Sequence, residues 1–350
     1  MKRSTALFPA TPLLVTLSLA LAYPQAAQAA DLQAKLVGVR MIWDKAPHNA
    51  FGDLVRWRGR FFATFREGKG HGSFDGKIRI ISSADGERWQ SEALLVHPDR
   101  DLRDSKLAIT PDGRLMLVCG ATKVSVTENR RLYVQTMVAF SRDGTRWGPL
   151  RFVTRPHRWL WRVTWFRNKA YGVSYADGGD PKKATELLVS DDGVEYRVLV
   201  PSLLDEGWPT EGTLRFDARG RCYCLQRRDR RGKYSNSAYL GVADPPYTDW
   251  RWRDLGIYVG GPDLIQSPSG EWLVCGRRLG PKGARTVLWQ LDVAKGKLNE
   301  LLELPSGGDT SYPRMLFVGE ELWILYYSSH ERKSKIYLAR VLLAETEADR

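Results

Sequence analysis

Glu211, Arg227, Arg277 and Tyr312 are the residues of this chain whose types and settings point most directly to chemistry. Each lies at one end of a short strand-like run. Glu211 opens EGTLRF, Arg227 closes CYCLQRR, Arg277 follows WLVCG, and Tyr312 stands in GGDTSYP. Guanidinium groups fork onto carboxylates in a bidentate geometry. A carboxylate within reach of a phenol can take its proton and turn a weak nucleophile into a useful one. Equivalent positions at the starts of runs are held by Asp53, Asp104, Arg162 and Asp263. At the ends of runs stand Arg66-Glu67, Tyr175, Arg228, Arg278 and Tyr326-Tyr327. Side chains alternate across a strand, so Arg228 and Arg278 face away from Arg227 and Arg277 and are expected to be structural. Asp263, after GGP, reads as a turn residue. Trp159, Trp161 and Trp165 share one face and serve either the core or a stacking platform.

These ends become a site only if the fold brings them together, and the repeats say how. Ser83-Ala84-Asp85-Gly86-Glu87-Arg88-Trp89 returns as Ser141-Arg142-Asp143-Gly144-Thr145-Arg146-Trp147 and as Ser190-Asp191-Asp192-Gly193-Val194-Glu195-Tyr196. Each copy follows a strand-like run. The Asp accepts backbone N–H groups, the Gly permits positive φ, and the aromatic packs the turn onto the strands. Looser copies occupy 239–250 and 287–296. Interleaved with them are six hairpins: Gly52–Glu67, Lys106–Gly120, Arg162–Tyr175, Glu211–Arg228, Pro262–Arg278 and Tyr312–Ser328. Six units, each an inner hairpin plus an outer pair, predict an all-β, six-bladed β-propeller of four-stranded antiparallel blades. Thirteen Trp and fourteen Tyr suit packing between broad sheet faces. The first strands of the blades run nearest the axis, so the run ends above converge on one cavity. A ring of Arg, Asp, Glu and Tyr is the composition expected of a site for an anionic sugar.

The S-x-D-G-x-x-W turn resembles the Asp-box of the sialidases, one residue shorter than its usual form, and the resemblance spans essentially the whole mature chain. Asp85, Asp143 and Asp192 then lie on the outer rim and are structural. The resemblance implies a retaining, exo-acting glycoside hydrolase. A Tyr nucleophile is activated by Glu, an Asp is the general acid/base, and an arginine cluster holds the substrate carboxylate. Carried over residue by residue, Tyr312 is similar to the nucleophile, Glu211 to its base, and Arg227 and Arg277 to two of the arginines. Arg162 joins them as a further candidate for substrate binding. The early half departs from the family. Its Arg-Ile-Pro segment is replaced by His48-Asn49-Ala50-Phe51-Gly52-Asp53, and Arg66 in FREGKGH is the nearest guanidinium. Asp75, Asp104 and Asp53 compete as the acid, with His71 as a further choice for it or for substrate binding. The glutamate that supports the first arginine has no counterpart; Ser328, His330 and Glu331 stand near its place. A glycosidase for another sugar and a non-catalytic glycan-binding propeller are the alternatives.

Residues 1–29 read as an export signal: Lys2 and Arg3, the apolar run 13–22, and the small-x-small site Ala27-Gln28-Ala29. The mature chain, 30–350, is expected to be one domain in the periplasm or outside the cell. No later run is long enough to span a membrane. The formal charge of +13 favours anionic partners. The basic residues are scattered, with one short cluster at Arg227–Arg231, so nucleic acid is not an expected partner; a glycan or glycoconjugate is, and the protein is expected to be monomeric. The four cysteines, Cys119, Cys222, Cys224 and Cys275, are either buried thiols or disulfides. No Cys/His spacing suggests zinc, and neither metal nor organic cofactor is implied.

Overall fold

The computed structural model describes residues 31–125, 127–180, 183–229 and 236–345; the expected signal and Arg230-Arg231 lie outside the described residues. The strands form six four-stranded sheets, with no helix among the described residues. In the first five, the innermost strands are His48–Trp57, Arg100–Ile109, Arg158–Phe166, Trp208–Phe216 and Gly260–Gln266, each antiparallel to the strand that follows. In the sixth, Thr310–Val318, Glu321–Ser328 and Lys335–Glu345 run in order, and Leu32–Trp43 supplies the outermost strand. Neighbouring innermost strands touch in sequence, and the sixth touches the first, so the sheets close into a six-bladed β-propeller.

All six expected hairpins are present. The closing strand is the difference. No repeated turn follows the last strand, Lys335–Glu345, in the sequence; its outer partner is Leu32–Trp43, which pairs along it from Leu32↔Glu345 to Trp43↔Ile336. No turn joins the two strands, so no local signal announces the pair.

The three repeated turns share one hydrogen-bond pattern between third and fourth strands. Ser83 Oγ accepts the Gly86 N–H at 2.8 Å, and Asp85 Oδ1 accepts those of Glu87 and Arg88 at 2.9 Å. Ser141-Asp143 and Ser190-Asp192 repeat it. The backbone N–H groups hold the Asp85 and Asp143 carboxyls below the ordinary range. The turn glycines are also docking points between blades. A Cβ on Gly86 would lie 2.3 Å from Trp323 of blade six, and one on Gly144 2.3 Å from Phe62 of blade one. The four cysteines are buried, unpaired thiols, which settles the choice the sequence leaves open.

Each innermost strand carries the same interruption near its start. The pairing skips from Ala50↔Arg66 to Asp53↔Thr64, so Phe51 and Gly52 together face Phe65 alone. The equivalent pairs in the other blades are Asp104-Ser105, Trp161-Arg162, Thr210-Glu211, Gly261-Pro262 and Tyr312-Pro313. A two-against-one bulge breaks the alternation and re-aims a side chain. Six bulges at one level of the ring therefore direct six residue pairs at the axis. Three first residues pay a backbone cost for this, with positive φ at Phe51 (61°), Asp104 (50°) and Tyr312 (50°).

Candidate active site

Blades four and six meet at the axis through Glu211 and Tyr312, both in bulges. Tyr312 Oη donates to Glu211 Oε1. Arg227, the residue opposite the blade-four bulge, places Nη1 2.8 Å from both Glu211 oxygens and 3.1 Å from Tyr312 Oη. The Gly261 N–H of blade five donates to Glu211 Oε2 at 3.0 Å. Burial alone would raise the Glu211 carboxyl, but Arg227 and the hydrogen bonds outweigh it and hold the group below its ordinary value. Burial and the Glu211 charge push the Tyr312 phenol well above its ordinary value, against the pull of Arg227. The result is a neutral phenol hydrogen-bonded to an ionised carboxylate.

Arg277 lies beside this unit, with its guanidinium carbon 5.3 Å from the Tyr312 ring centre. Its Nε donates to Thr310 O at 2.8 Å and its Nη2 to Tyr327 Oη at 2.9 Å, while Nη1 has no partner among the described residues. Phe51 fills the blade-one position, 5.1 Å from the Tyr312 ring centre and 5.2 Å from that of Tyr327. Asp104 occupies in blade two the bulge position that Tyr312 occupies in blade six. It is 5% exposed, and its Oδ1 is buried without a partner. Burial pushes its carboxyl up to about 6, with Lys106 opposing and Glu211 reinforcing the rise.

At the base of the bulges, Arg162 of the blade-three bulge joins Asp53, Arg215, Asp263 and Arg314 in a buried ion cluster drawn from five blades. Arg162 reaches Asp53 at 3.2 Å, Arg215 reaches Asp263 at 2.9 Å, and Arg314 reaches both acids, at 3.3 and 3.4 Å. Each acid also accepts a backbone N–H from the next blade: Leu107 to Asp53 at 2.7 Å and Met315 to Asp263 at 2.8 Å. Asp53 and Arg162, expected at the site, are thus engaged in closing its base. Asp263, expected in a turn, is wholly buried.

Two other expected residues are held away from Tyr312. Arg66 is fully buried, 3.0 Å from Asp101, and donates to Gly70 O at 3.0 Å and Ser73 O at 2.7 Å. It anchors the segment 69–76 instead of presenting its charge to a ligand. Asp75 accepts the Lys69 N–H at 3.1 Å and faces a separate cavity of about 480 Å³ against Val96–Asp101. The same segment carries His71 to the rim, where Nδ1 lies 2.8 Å from Asp309 Oδ2. Asp309 and His48 are residues beside His71 that the sequence reading missed, whereas Tyr327, which donates to Asp309 Oδ1 at 2.8 Å, is one of the run ends the sequence brings to the cavity. Asp309 lies in the loop before an inner strand, where neither repeat nor alternation marks it. Trp159 and Trp161 are core residues, Trp159 stacked on Tyr175.

No family model and no curated protein matches this chain. Solved structures do. A protein of unknown function from Dyadobacter fermentans superposes with a TM-score of 0.76 at 18% identity, covering 89% of this chain and 99% of its own. The α-L-arabinofuranosidase of Fusarium graminearum, in complex with an iminosugar inhibitor, gives 0.67 at 13%, covering 88% and 98%. A Trypanosoma rangeli sialidase, described as a covalent intermediate with 2,3-difluorosialic acid, gives 0.63 at 13%, covering 84% of this chain and 54% of that longer one. At these identities the likeness shows a shared fold: the chain has the propeller on which these enzymes are built.

Proposed function

We propose that this protein is an exo-acting glycoside hydrolase that removes a terminal, anionic sugar with retention, through Tyr312 as nucleophile and Glu211 as its base. The observation that carries the reading is the Tyr312–Glu211 hydrogen bond with Arg227 across it. A phenol bonded to an ionised carboxylate can lose its proton as its oxygen closes on an anomeric carbon, and Arg227 steadies the charge that passes between them. A neutral phenol also approaches a sugar bearing a carboxylate without charge repulsion. The free Nη1 of Arg277 is the group placed to hold that carboxylate. The ion cluster at the base of the bulges supports exo action, since a chain end can enter such a cavity and a polymer cannot thread through it.

One observation favours a second reading. Blade one presents Phe51, an apolar ring, rather than a further guanidinium, which suits a less anionic or neutral terminal sugar. The arabinofuranosidase fold likeness fits that reading. Both are tested by aryl α-sialosides and aryl α-L-arabinofuranosides incubated with residues 30–350. Release of either sugar, abolished by Tyr312→Phe with the melting temperature kept, is the expected result. Turnover that survives Tyr312→Phe would sink the mechanism.

A further inference from the structure

We infer that His71, oriented by Asp309, transfers the proton to and from the leaving oxygen at this site; the assignment rests on the hydrolase reading above. The first ground is the hydrogen bonding of Asp309. Its Oδ2 lies 2.8 Å from His71 Nδ1 and 2.9 Å from His48 Nε2, and its Oδ1 accepts Tyr327 Oη at 2.8 Å. A carboxylate so supplied with donors stays ionised, and its role toward a half-exposed imidazole is to fix ring and tautomer. With Nδ1–H given to Asp309, Nε2 is left as the proton-carrying nitrogen, without a partner among the described residues, on a side chain 54% exposed.

His48 supports this against metal ligation by the same three groups. Its Nδ1 is buried with no partner. A ligating Nε2 would require a proton on Nδ1, and that N–H would be stranded, whereas metal-bound imidazoles donate their second N–H. The arrangement fits His48 Nε2–H donating to Asp309.

Position is the second ground. The His71 ring centre is 5.1 Å from that of Phe51, which is 5.1 Å from that of Tyr312, so a single aromatic ring separates acid and nucleophile. Anchorage is the third. The segment bearing His71 is held by the buried Arg66, by Ser73 Oγ on Gly70 N at 3.0 Å, and by Leu102 N on Gly76 O at 3.0 Å. A buried guanidinium is a costly way to hold a surface loop, and it keeps the imidazole in place before substrate arrives.

In the first step Tyr312 Oη bonds to the anomeric carbon, its proton passes to Glu211, and the glycosidic bond breaks. His71, as imidazolium, gives its Nε2 proton to the departing oxygen. In the second, His71 takes a proton from water as that water bonds to the anomeric carbon, and Glu211 returns its proton to the released Tyr312.

The test uses His71→Ala and His71→Gln in the mature protein, with two glycosides of whichever sugar the native protein releases: 2,4-dinitrophenyl, whose leaving group needs no proton, and methyl, whose leaving group does. Expected is kcat/KM within about tenfold of native on the dinitrophenyl glycoside and a loss of about 10²- to 10⁴-fold on the methyl glycoside, the span of general acid catalysis. Azide, which needs no base, should raise kcat of the variants on the dinitrophenyl substrate. An equal loss on both substrates, no loss on either, or the same leaving-group pattern in Asp104→Asn instead of the His71 variants would overturn the assignment and leave the hydrolase reading standing. A native protein that releases no sugar from either series would overturn both.

Discussion

Asp104 is a carboxyl that folding places where it is least comfortable as an anion. Burial, the dominant effect, and the nearby Glu211 charge lift it to about 6, and Lys106 offsets only part of this. The consequence for stability has a definite sign. An acid whose folded value is raised binds its proton more tightly in the native state than in the unfolded chain. Stability is therefore unaffected below about pH 4, falls as pH rises toward 6, and stays reduced above it. A shift from the ordinary value of 3.8 to about 6 corresponds to about 3 kcal/mol at most. Asp104→Asn, which never ionises, should match the native melting temperature at pH 4 and exceed it by several degrees at pH 7.5. A difference independent of pH would show that Asp104 is neutralised in some other way. Three residues expected at the site are engaged within the protein for related reasons. Arg66 and Asp53 are of the types the chemistry needs, but the charge of each is met within the protein, on Asp101 or in the ion cluster at the base; Arg162 pairs there with Asp53 through Nη1, while its Nε and Nη2 are buried without a hydrogen-bond partner among the described residues. Residue type and strand position were legible in the chain; which charges are mutually satisfied depends on five blades at once.

At the scale of elements, the hairpins and the repeated turns were readable because their signals are local: Gly and Asp chemistry within seven residues, and strand-like runs on either side. The bulges were not. Two residues opposite one shift the alternation by a single place, and nothing in Thr210-Glu211 or Gly261-Pro262 announces it. Yet the bulges turn Glu211 and Tyr312 inward. Gly261 shows how tightly they fit. Its φ is 57°, and a Cβ there would lie 2.6 Å from Tyr312 Cγ and Cδ2, while its N–H holds Glu211. Gly261→Ala should thus cost on the order of 1–2 kcal/mol in backbone strain. It should also displace the Tyr312 ring, with a loss of about a hundredfold in turnover of the best aryl glycoside, the effect expected of a misplacement near 1 Å. Unchanged kcat/KM in this variant would mean that the ring has room the structure does not show.

The whole molecule is held shut by a strand from the far end of the chain. Leu32–Trp43 completes blade six, sends Leu32, Ala34, Leu36 and Val39 onto the core of that blade, and ties Trp43 Nε1 to Glu67 of blade one at 2.8 Å. Blade six carries Tyr312, Asp309 and Tyr327, and Ile42 of the closing strand belongs to the same buried cluster as Phe51, Tyr312 and Tyr327, so the site depends on this closure. A chain begun at Asp44 would expose the edge of Lys335–Glu345 and the apolar face beneath, a condition that favours edge-to-edge aggregation. The register supplies a control that separates closure from mere length. Leu32 pairs with Glu345, so the two strand ends meet and a short turn can join them. A permuted chain that begins at Asp44, runs to Glu345 and continues through a two-residue turn into residues 31–43 should keep the native melting temperature and aryl-glycoside turnover. The truncated chain should lose both, with aggregation on heating. If the truncated chain melts like the native protein, the ring is held by its inner strands and the Asp53–Arg162–Asp263 cluster alone. If the permuted chain fails while the native fold is retained elsewhere, the strand must pair before blade one forms, and closure is an early event in folding rather than its last.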